Sequence, residues 1–319
     1  MAKKILFILF VITTILLSQD EIDYGLNIPN TPFTIGGYLD MSYDEKREAP
    51  VLFDDIALLF FGRFDSFELL GEVEVSNVSL EGKSNRSSDI DLNLERLQLL
   101  YAINDTDKIQ IGRFNSDIGF WNQTPIAMLQ ETTSNPHLSQ YMYPKATTGM
   151  IYFKRLSDTD SMSITMQNNS DIGQEDESII ADMHMAFSYH LDYEFFSWVF
   201  NSGLYQEHHL ETKSYYTGMA VKYEEDTFMI QAEFFTQQSN EIKDRPYSMY
   251  VQTLWRLDEK QDIVIRVESY KDNVLDIKEE NCLLGYLYRP WHNVVIKSEY
   301  IYHSNASLSR VVSSISVLF

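Results

Sequence analysis

The sequence contains very little cysteine and few basic residues. Cys282 is the only cysteine in 319 residues, so no intramolecular disulfide and no cysteine-rich metal site can form. Lys and Arg number 25 against 47 Asp and Glu, which gives a formal net charge of -22. Such a negative field repels nucleic-acid phosphates, so the composition argues against a nucleic-acid partner.

Long apolar runs are also lacking beyond the N-terminus. The one run of this kind, ILFILFVITTILL (Ile5–Leu17), follows two lysines and has the length of the apolar part of a secretory signal. We predict a cleaved signal peptide over residues 1–18. An uncleaved anchor is the alternative, but the run is short for a membrane helix of about 20 residues. The remaining chain is therefore not expected to cross a membrane as helices.

What the chain does have is alternation of apolar and polar residues from residue 33 onward. In the first such segment Phe33, Ile35 and Leu39 share one face, and polar residues share the other. The pattern recurs through the chain and predicts strands with one apolar and one polar face. Two segments are less regular: 56–64 is apolar on both faces, and 94–97 breaks the alternation, which indicates a β-bulge.

The links between these strands are of two kinds that alternate along the chain. Seven are short and eight are longer and polar, which implies about sixteen antiparallel strands. An outer-membrane barrel has short periplasmic turns and longer outer loops, whereas a Greek-key sandwich does not sort its links by length. The predicted fold class is therefore all-β, a transmembrane antiparallel up-and-down β-barrel. The short links are 65–66, 104–107, 156–160, 191–194, 224–226, 258–261 and 289–291, and the longer ones are 44–54, 77–89, 115–147, 168–179, 206–213, 238–246, 271–281 and 303–310.

The two ends of the predicted barrel fit an exported outer-membrane protein of a Gram-negative bacterium. We expect residues 19–32 to be a short periplasmic lead and residues 33–319 to be the barrel. The last segment, RVVSSISVLF, alternates and ends on Phe319. It resembles the terminal strand of bacterial outer-membrane barrels, and the resemblance implies recognition of Phe319 by the barrel assembly machinery. Outer-membrane lipid and lipopolysaccharide are the expected surroundings.

Four short segments invite an enzymatic or metal-binding interpretation. YHSNASLSR (Tyr302–Arg310) resembles the His-x-Ser-Asn signature of outer-membrane lipid A deacylases and phospholipases, but adjacent His303 and Ser304 point to opposite sides of a strand. We therefore predict no catalytic residues. His208 and His209, like the acidic segments GQEDES (173–178) and DIKEEN (276–281), are interpreted as solvated outer loops, and no metal or cofactor is predicted.

The polar faces of the predicted strands supply the expected lining of the lumen. A ring of about sixteen strands is wide enough for an aqueous channel, and charges on opposing walls would set its charge preference. Because acidic residues dominate, we expect a weak preference for cations. The predicted lining residues are Glu68, Glu72, Glu74, Asp182, Lys222, Glu233, Arg256, Arg266, Glu268, Lys297 and Glu299.

The segment around GRFNSDIGFWN (Gly112–Asn122) resembles a known family. LERLQLLYAINDTDKIQIGRFNSDIGFWN (Leu94–Asn122) is similar to the part of phosphate-selective and related porins in which a Glu-Arg strand leads to G-[QR]-F-x-x-x-x-G. The resemblance implies a sixteen-stranded porin, a homotrimer and a long third loop that folds into the barrel. The chain departs from the phosphate-selective members in lacking a dense ladder of basic residues, so anion selectivity is not carried over.

The resemblance places the pore constriction on the third loop. An outward surface loop is the alternative. The function implied is passive diffusion of small hydrophilic solutes or ions. A non-conducting structural or surface-binding barrel is the second hypothesis, and it requires a lumen filled by Phe195, Phe235 and Tyr250. The predicted constriction residues, all within loop 115–147, are Asp117, Gln123, Gln130, Glu131, His137, Gln140 and Lys145.

Overall fold

A computed structural model describes residues 25–79, 91–172, 179–208, 212–240, 245–273 and 276–319. The predicted signal peptide, the first part of the predicted lead, His209 and the GQEDES segment lie outside these residues. No helix within the described ranges is long and apolar enough to cross a membrane.

Sixteen strands of the described chain form one closed antiparallel ring. Each strand from β2 to β17 pairs with the next, and β17 pairs back with β2, which confirms the predicted barrel. A two-residue strand, β1, pairs with the start of β2. The strands are β1 (Leu26–Asn27), β2 (Phe33–Asp44), β3 (Val51–Phe64), β4 (Phe67–Ser79), β5 (Asp91–Ala102), β6 (Asp107–Asn115), β7 (Ala146–Arg155), β8 (Asp160–Gln167), β9 (Ala181–Tyr193), β10 (Phe196–Glu207), β11 (Lys213–Glu224), β12 (Phe228–Ser239), β13 (Tyr247–Arg256), β14 (Gln261–Asp272), β15 (Ile277–Trp291), β16 (Val294–His303) and β17 (Arg310–Leu318).

The two faces of the ring differ in the way that the alternation predicts. In β16, Lys297 and Glu299 are buried on the inward face, while Ile296 and Tyr300 are exposed on the outward face. Many other strands repeat this arrangement, whereas β15 buries Leu283 and Leu287 on its inward face and exposes Leu284 and Tyr286 outward. A soluble protein would bury its apolar face instead, whereas the hydrocarbon of a bilayer favours this inverted arrangement.

Short and long links separate to opposite ends of the ring, as the sequence predicts. The strands extend further than expected at several links. DIKEEN, for example, lies mostly in β15 rather than in a loop, because Lys271 to Asp272 of β14 pair with Ile277 and Lys278. The short links are 65–66, 103–106, 156–159, 194–195, 225–227, 257–260 and 292–293; the long links that are described in full are 45–50, 116–145 and 304–309.

Aromatic residues line the outward face at the short-link end of the ring. The rings of Phe67 and Tyr101 stack at a centroid distance of 4.8 Å on neighbouring strands. Phe196 and Tyr223 lie 4.7 Å apart on another strand pair. Such amphipathic side chains favour the boundary between hydrocarbon and water.

Two bulges interrupt the ladders on one side of the ring. Met41 pairs with Phe53 and Asp40 with Asp55, so Asp54 has no partner in the ladder. In β5, Leu94 pairs with Val73 and Arg96 with Glu72, so Glu95 has no partner in the β4–β5 ladder. Glu95 lies in the irregular segment 94–97, which the sequence indicates as a bulge. The bulge at Asp54 has no comparable signal in the sequence pattern.

The C-terminus completes the ring. The Phe319 N–H donates to the Gly37 carbonyl at 2.8 Å, and the Gly37 N–H donates to the Phe319 carbonyl at 2.7 Å. These bonds extend the β17–β2 ladder to the last residue of the chain. Strand β1 pairs with Thr34 and Ile35, immediately beyond this point.

Gly112 provides a stability test of the wall. Its φ is +116°, and an added Cβ would lie 2.0 Å from the Leu97 carbonyl oxygen. We expect Gly112→Ala to lower the free energy of unfolding by about 1–3 kcal/mol, because it combines backbone strain with this contact. Urea unfolding in lipid vesicles, followed by tryptophan fluorescence, measures the change. The control is Gly71→Ala, where a Cβ meets only atoms 3.8 Å or more away, and an equal loss there would contradict the explanation.

Candidate functional site

The link between β6 and β7, residues 116–145, is called the third loop here. Its described secondary structure consists of short 3-10 helices at Trp121–Gln123 and Ala127–Leu129 and one α-helical turn, α1, at Leu138–Tyr141. Its two ends meet where the Ser116 N–H donates to the Lys145 carbonyl at 2.8 Å. The Asn122 side chain donates to the same carbonyl at 2.9 Å and to the Ser116 carbonyl at 2.7 Å. Asn122 therefore closes the base of the loop.

Gly119 and Glu233 fix the first turn of the loop. Gly119 has a φ of +60°, and a Cβ there would come within 2.1 Å of Glu233 Oε2, so the position favours glycine. The N–H groups of Phe120 and Trp121 donate to Glu233 Oε1 at 3.1 and 2.8 Å, and the Tyr250 hydroxyl donates to it at 2.6 Å. The buried carboxylate thus satisfies the free amides at the start of the first 3-10 helix.

Asp117 is held against the wall rather than exposed to a cavity. Its carboxylate accepts a hydrogen bond from Ser163 at 2.5 Å and contacts His190 Nε2 at 3.0 Å. Its carbonyl accepts from Ser188 and Asn201. The residue is 8% exposed and lines neither of the two cavities described below. All these partners tie it to β8, β9 and β10, and its role at the constriction stays a prediction.

Arg266 is the centre of the contacts in the middle of the loop. It donates to Thr132 Oγ1 at 2.6 Å, to Ser134 Oγ at 2.8 Å and to Glu268 at 2.5 Å. Its guanidinium also lies 5.4 Å from the centroid of the Trp121 ring. The side chain is 1% exposed, and a charge this deeply buried must be paired and hydrogen-bonded to be tolerated.

Further anchors follow on the neighbouring strands. Lys297 Nζ donates to the carbonyls of Ala127 and Thr132, and Glu299 accepts from the Ser134 N–H at 2.6 Å. Glu268 accepts from the His137 N–H at 3.1 Å. Five of the predicted lining residues therefore bond to the third loop. These are Glu233, Arg266, Glu268, Lys297 and Glu299.

Apolar and aromatic residues pack between the loop and the strands from β10 to β14. Tyr143 of the loop lies 4.9 Å from the ring of Phe235, and both are fully buried. Burial, and next the nearby Glu233 carboxylate, raise the pKa of the Tyr143 hydroxyl well above its usual value, so the phenol stays neutral. Phe235 and Tyr250 thus fill space beside the loop as the second hypothesis requires. Phe195 does not, because it lies in the β9–β10 turn and is 46% exposed.

A cavity of about 580 Å³ lies between the third loop and strands β2 to β5. We call it the outer cavity because it extends to the long-link end. The loop contributes Gln130, His137, Gln140 and Lys145, four of the predicted constriction residues. The wall is acidic: six carboxylates line the cavity against three cations. The carboxylates belong to Asp40, Asp44, Asp54, Asp55, Glu74 and Glu95, and the cations to Arg47, Lys145 and Arg310.

The two bulges explain why this wall carries so many carboxylates. Asp54 and Glu95 are the extra residues of β3 and β5, and both line the outer cavity. A regular strand would send every second side chain outward, whereas a bulge can aim two successive residues the same way. Of the six carboxylates only Glu74 was among the predicted lining residues. The break at 94–97 was the one signal that could have identified Glu95.

A second cavity, of about 230 Å³, lies on the other side of Trp121, beside the ends of β11 and β12 that meet at a short link. We call it the inner cavity. It is lined by two further predicted constriction residues, Gln123 and Glu131, and by the predicted lining residue Lys222. The sequence pattern could not show that loop and wall meet here.

The other predicted lining residues lie at different heights of the wall. Glu72 is buried, and its Oε1 accepts a hydrogen bond from the Tyr38 hydroxyl at 2.8 Å. Glu68 pairs with Arg63 at 2.9 Å near a short link, and Arg256 pairs with Glu224 at 2.5 Å. Asp182 lies near the long-link end and contacts His208 at 2.7 Å.

Two of the histidines singled out in the sequence, His303 and His208, have structural partners. His303 Nδ1 accepts the Asn305 N–H at 2.9 Å, and its ring bonds no serine hydroxyl among the described residues. His208 Nδ1 contacts the carboxylate of Asp182. Within the described ranges no group of three or more His, Cys, Asp or Glu side chains is arranged to hold a metal ion.

Comparison with known proteins gives results for structure alone. No protein-family model matches the sequence, and no curated protein matches it. Among solved structures, OmpF of Salmonella typhi, in complex with daunomycin, superposes with a TM-score of 0.70 at 11% identity, covering 92% of this chain and 100% of that one.

Two further solved structures superpose on most of this chain. The anion-selective porin from Comamonas acidovorans gives a TM-score of 0.67 at 11% identity, over 91% of this chain and 100% of that chain. OmpT of Vibrio cholerae, in its trimer form, gives 0.63 at 11% identity, over 90% and 99%. The chain therefore has the fold of sixteen-stranded outer-membrane porins.

Proposed function

We propose that this protein is a channel for passive diffusion of small hydrophilic solutes across the outer membrane of a Gram-negative bacterium. The observation that supports it best is the position of the third loop. Its hydrogen bonds reach inward-facing side chains from β8 round to β17, and a large cavity is left against β2 to β5. In this proposal the loop lies across the lumen and sets the width of the pore.

The remaining features of the proposal concern export and assembly. The apolar outward face would lie in lipid, with lipopolysaccharide around the long links. A signal peptide over 1–18, a short periplasmic lead and recognition of Phe319 by the assembly machinery complete the route to the membrane. A homotrimer is proposed from the family resemblance.

The charge of the outer cavity supports a preference for cations. Six acidic side chains against three basic ones in its lining favour a negative potential, and a negative pore attracts cations and repels anions. The chain therefore departs from phosphate-selective porins, although the GRFNSDIGFWN segment resembles theirs. Arg113 of that segment is buried and pairs with Asp171 at 2.5 Å, so it serves the structure rather than the passage of anions.

No catalytic role is proposed. His303, the strongest candidate for a general base, is buried on the inward face and accepts a backbone N–H through Nδ1. A hydrolase would require a serine hydroxyl within reach of the ring. Lipid hydrolysis that is abolished by His303→Ala would overturn this conclusion.

A non-conducting barrel is the second candidate. It is favoured by the aromatic residues that fill the space beside the loop, among them Tyr143, Phe235 and Tyr250. Single-channel recording in planar bilayers separates the two. Discrete conductance steps would support the channel proposal, and the absence of conductance from folded barrels would support the non-conducting alternative.

The acidic wall makes a prediction about selectivity. We expect the reversal potential under a KCl gradient to show cation preference, and the double variant Asp54→Asn, Glu95→Gln to reduce the permeability ratio of K⁺ to Cl⁻ about two- to fivefold. Both substitutions remove charge and keep the shape of the side chain. Asp105→Asn, in an exposed short link, is the matched control and should change little. An anion-selective wild type, or an unchanged ratio in the double variant, would refute the argument.

The loop anchors make a second prediction. Glu233→Leu removes the acceptor for the Phe120 and Trp121 amides, so the start of the loop should detach from the wall. We expect larger or fluctuating single-channel currents. Glu233→Gln keeps an acceptor oxygen and should restore steady currents close to wild type. Identical traces from all three proteins would show that the anchor does not control the pore.

A further inference from the structure

The inner cavity has features that the diffusion of simple ions does not require. Its lining combines a lysine, two glutamates, two aromatic rings and two glutamines. These residues are Phe120, Trp121, Gln123, Glu131, Lys222, Glu224 and Gln231, together with Thr124 and Met229. We propose that it is a binding site for a zwitterionic solute the size of an amino acid with an apolar side chain. This inference rests on the proposed channel function and names the solute class that binds within the channel.

The wall supplies the cationic half of the site. Glu224 Oε1 accepts a hydrogen bond from the Arg256 guanidinium at 2.5 Å, and Glu224 Oε2 lies 3.3 Å from the Lys222 ammonium. One carboxylate shared between two cations leaves a surplus of one positive charge. Lys222 lines the cavity and its side chain is 30% exposed, so its ammonium can also bind the carboxylate of a solute.

The loop supplies the anionic half. Glu131 accepts one long hydrogen bond, from Gln252 at 3.3 Å, and in the described part of the chain it forms no ion pair. It lines the inner cavity and does not line the outer one. An ammonium group of a solute would therefore find a carboxylate with no direct ion-pair partner among the described residues. Lys297, a nearby cation, is bonded to the carbonyls of Ala127 and Thr132.

Aromatic rings supply the apolar part. Phe120 already holds a cation near its face, since Lys222 Nζ lies 5.5 Å from the ring centroid. Its ring and that of Trp121 both border the cavity, with Met229 beside them. The volume of about 230 Å³ is below the roughly 300–1,000 Å³ of pockets for drug-sized ligands and well above the roughly 30 Å³ share of one water. An amino-acid-sized molecule suits this space.

The balance of charge distinguishes this cavity from the outer one. A simple anion would meet Glu131, and a simple cation would meet Lys222, so each gains one favourable contact together with one repulsive contact. A zwitterion gains both favourable contacts. The outer cavity, with its excess of carboxylates, gives no such advantage.

Block of single-channel current by three matched probes tests the proposal. L-Phenylalanine is a zwitterion, N-acetyl-L-phenylalanine lacks the ammonium, and L-phenylalaninamide lacks the carboxylate. Each is added to both sides of the bilayer at pH 6 and equal ionic strength. We expect the zwitterion to block at concentrations about tenfold lower than either analogue, since each analogue loses a charge-assisted hydrogen bond.

Variants assign the block to the inner cavity. Lys222→Met and Glu131→Gln should each raise the blocking concentration of phenylalanine about tenfold and bring it to that of the analogues. Lys260→Met and Glu259→Gln, in an exposed short link, are the matched controls and should leave the block unchanged. Equal block by all three probes, or no effect of either cavity variant, would overturn the site while the channel still conducts. Absence of any conductance would instead overturn the proposed channel.

Discussion

Closure of the ring is the constraint on which the other features depend. Every backbone amide and carbonyl of a strand in hydrocarbon needs a partner, because an unsatisfied group costs several kcal/mol there. The ladder between β17 and β2 removes the two edges that an open sheet would expose, and the Gly37–Phe319 bonds carry it to the end of the chain. With the backbone satisfied, the side chains divide between the outward and the inward face of the ring.

The inward face of the ring carries many charged and polar groups, and these determine how the third loop is bonded to the wall. Hydrophobic burial contributes on one side, where Tyr143 and Phe235 pack together. Elsewhere the loop is held by charges whose partners are backbone groups, as Lys297 and Glu299 show. Each buried charge is costly unless it is bonded, so a loop displaced from these groups would leave several ions unsatisfied. The anchors therefore favour one position of the loop over many.

The sequence predicts the fold well because period-2 alternation and link length are local properties. The Phe33 to Leu39 segment and the two kinds of link give the strand count without any knowledge of contacts. The site is harder to predict, because it depends on where a long loop meets a distant wall. Asp117 lies beside conspicuous glycines but is bonded to β8 and β9, whereas Asp54 reaches the cavity only because β3 carries a bulge. The bulge is a property of register between strands, which a single segment does not reveal.

The bulges at Asp54 and Glu95 affect which sequence changes the wall can accept during evolution. Glu95 stands outside both ladders of β5, so its loss would leave the pairing with β4 and β6 in register. Asp54 is extra only relative to β2, and its loss would shift β3 by one residue against β4. Elsewhere in a strand a one-residue deletion would reverse the inward and outward faces along the rest of that strand. The charge of this wall could therefore be altered by insertion or deletion at Glu95 as well as by substitution, while the ring itself is preserved.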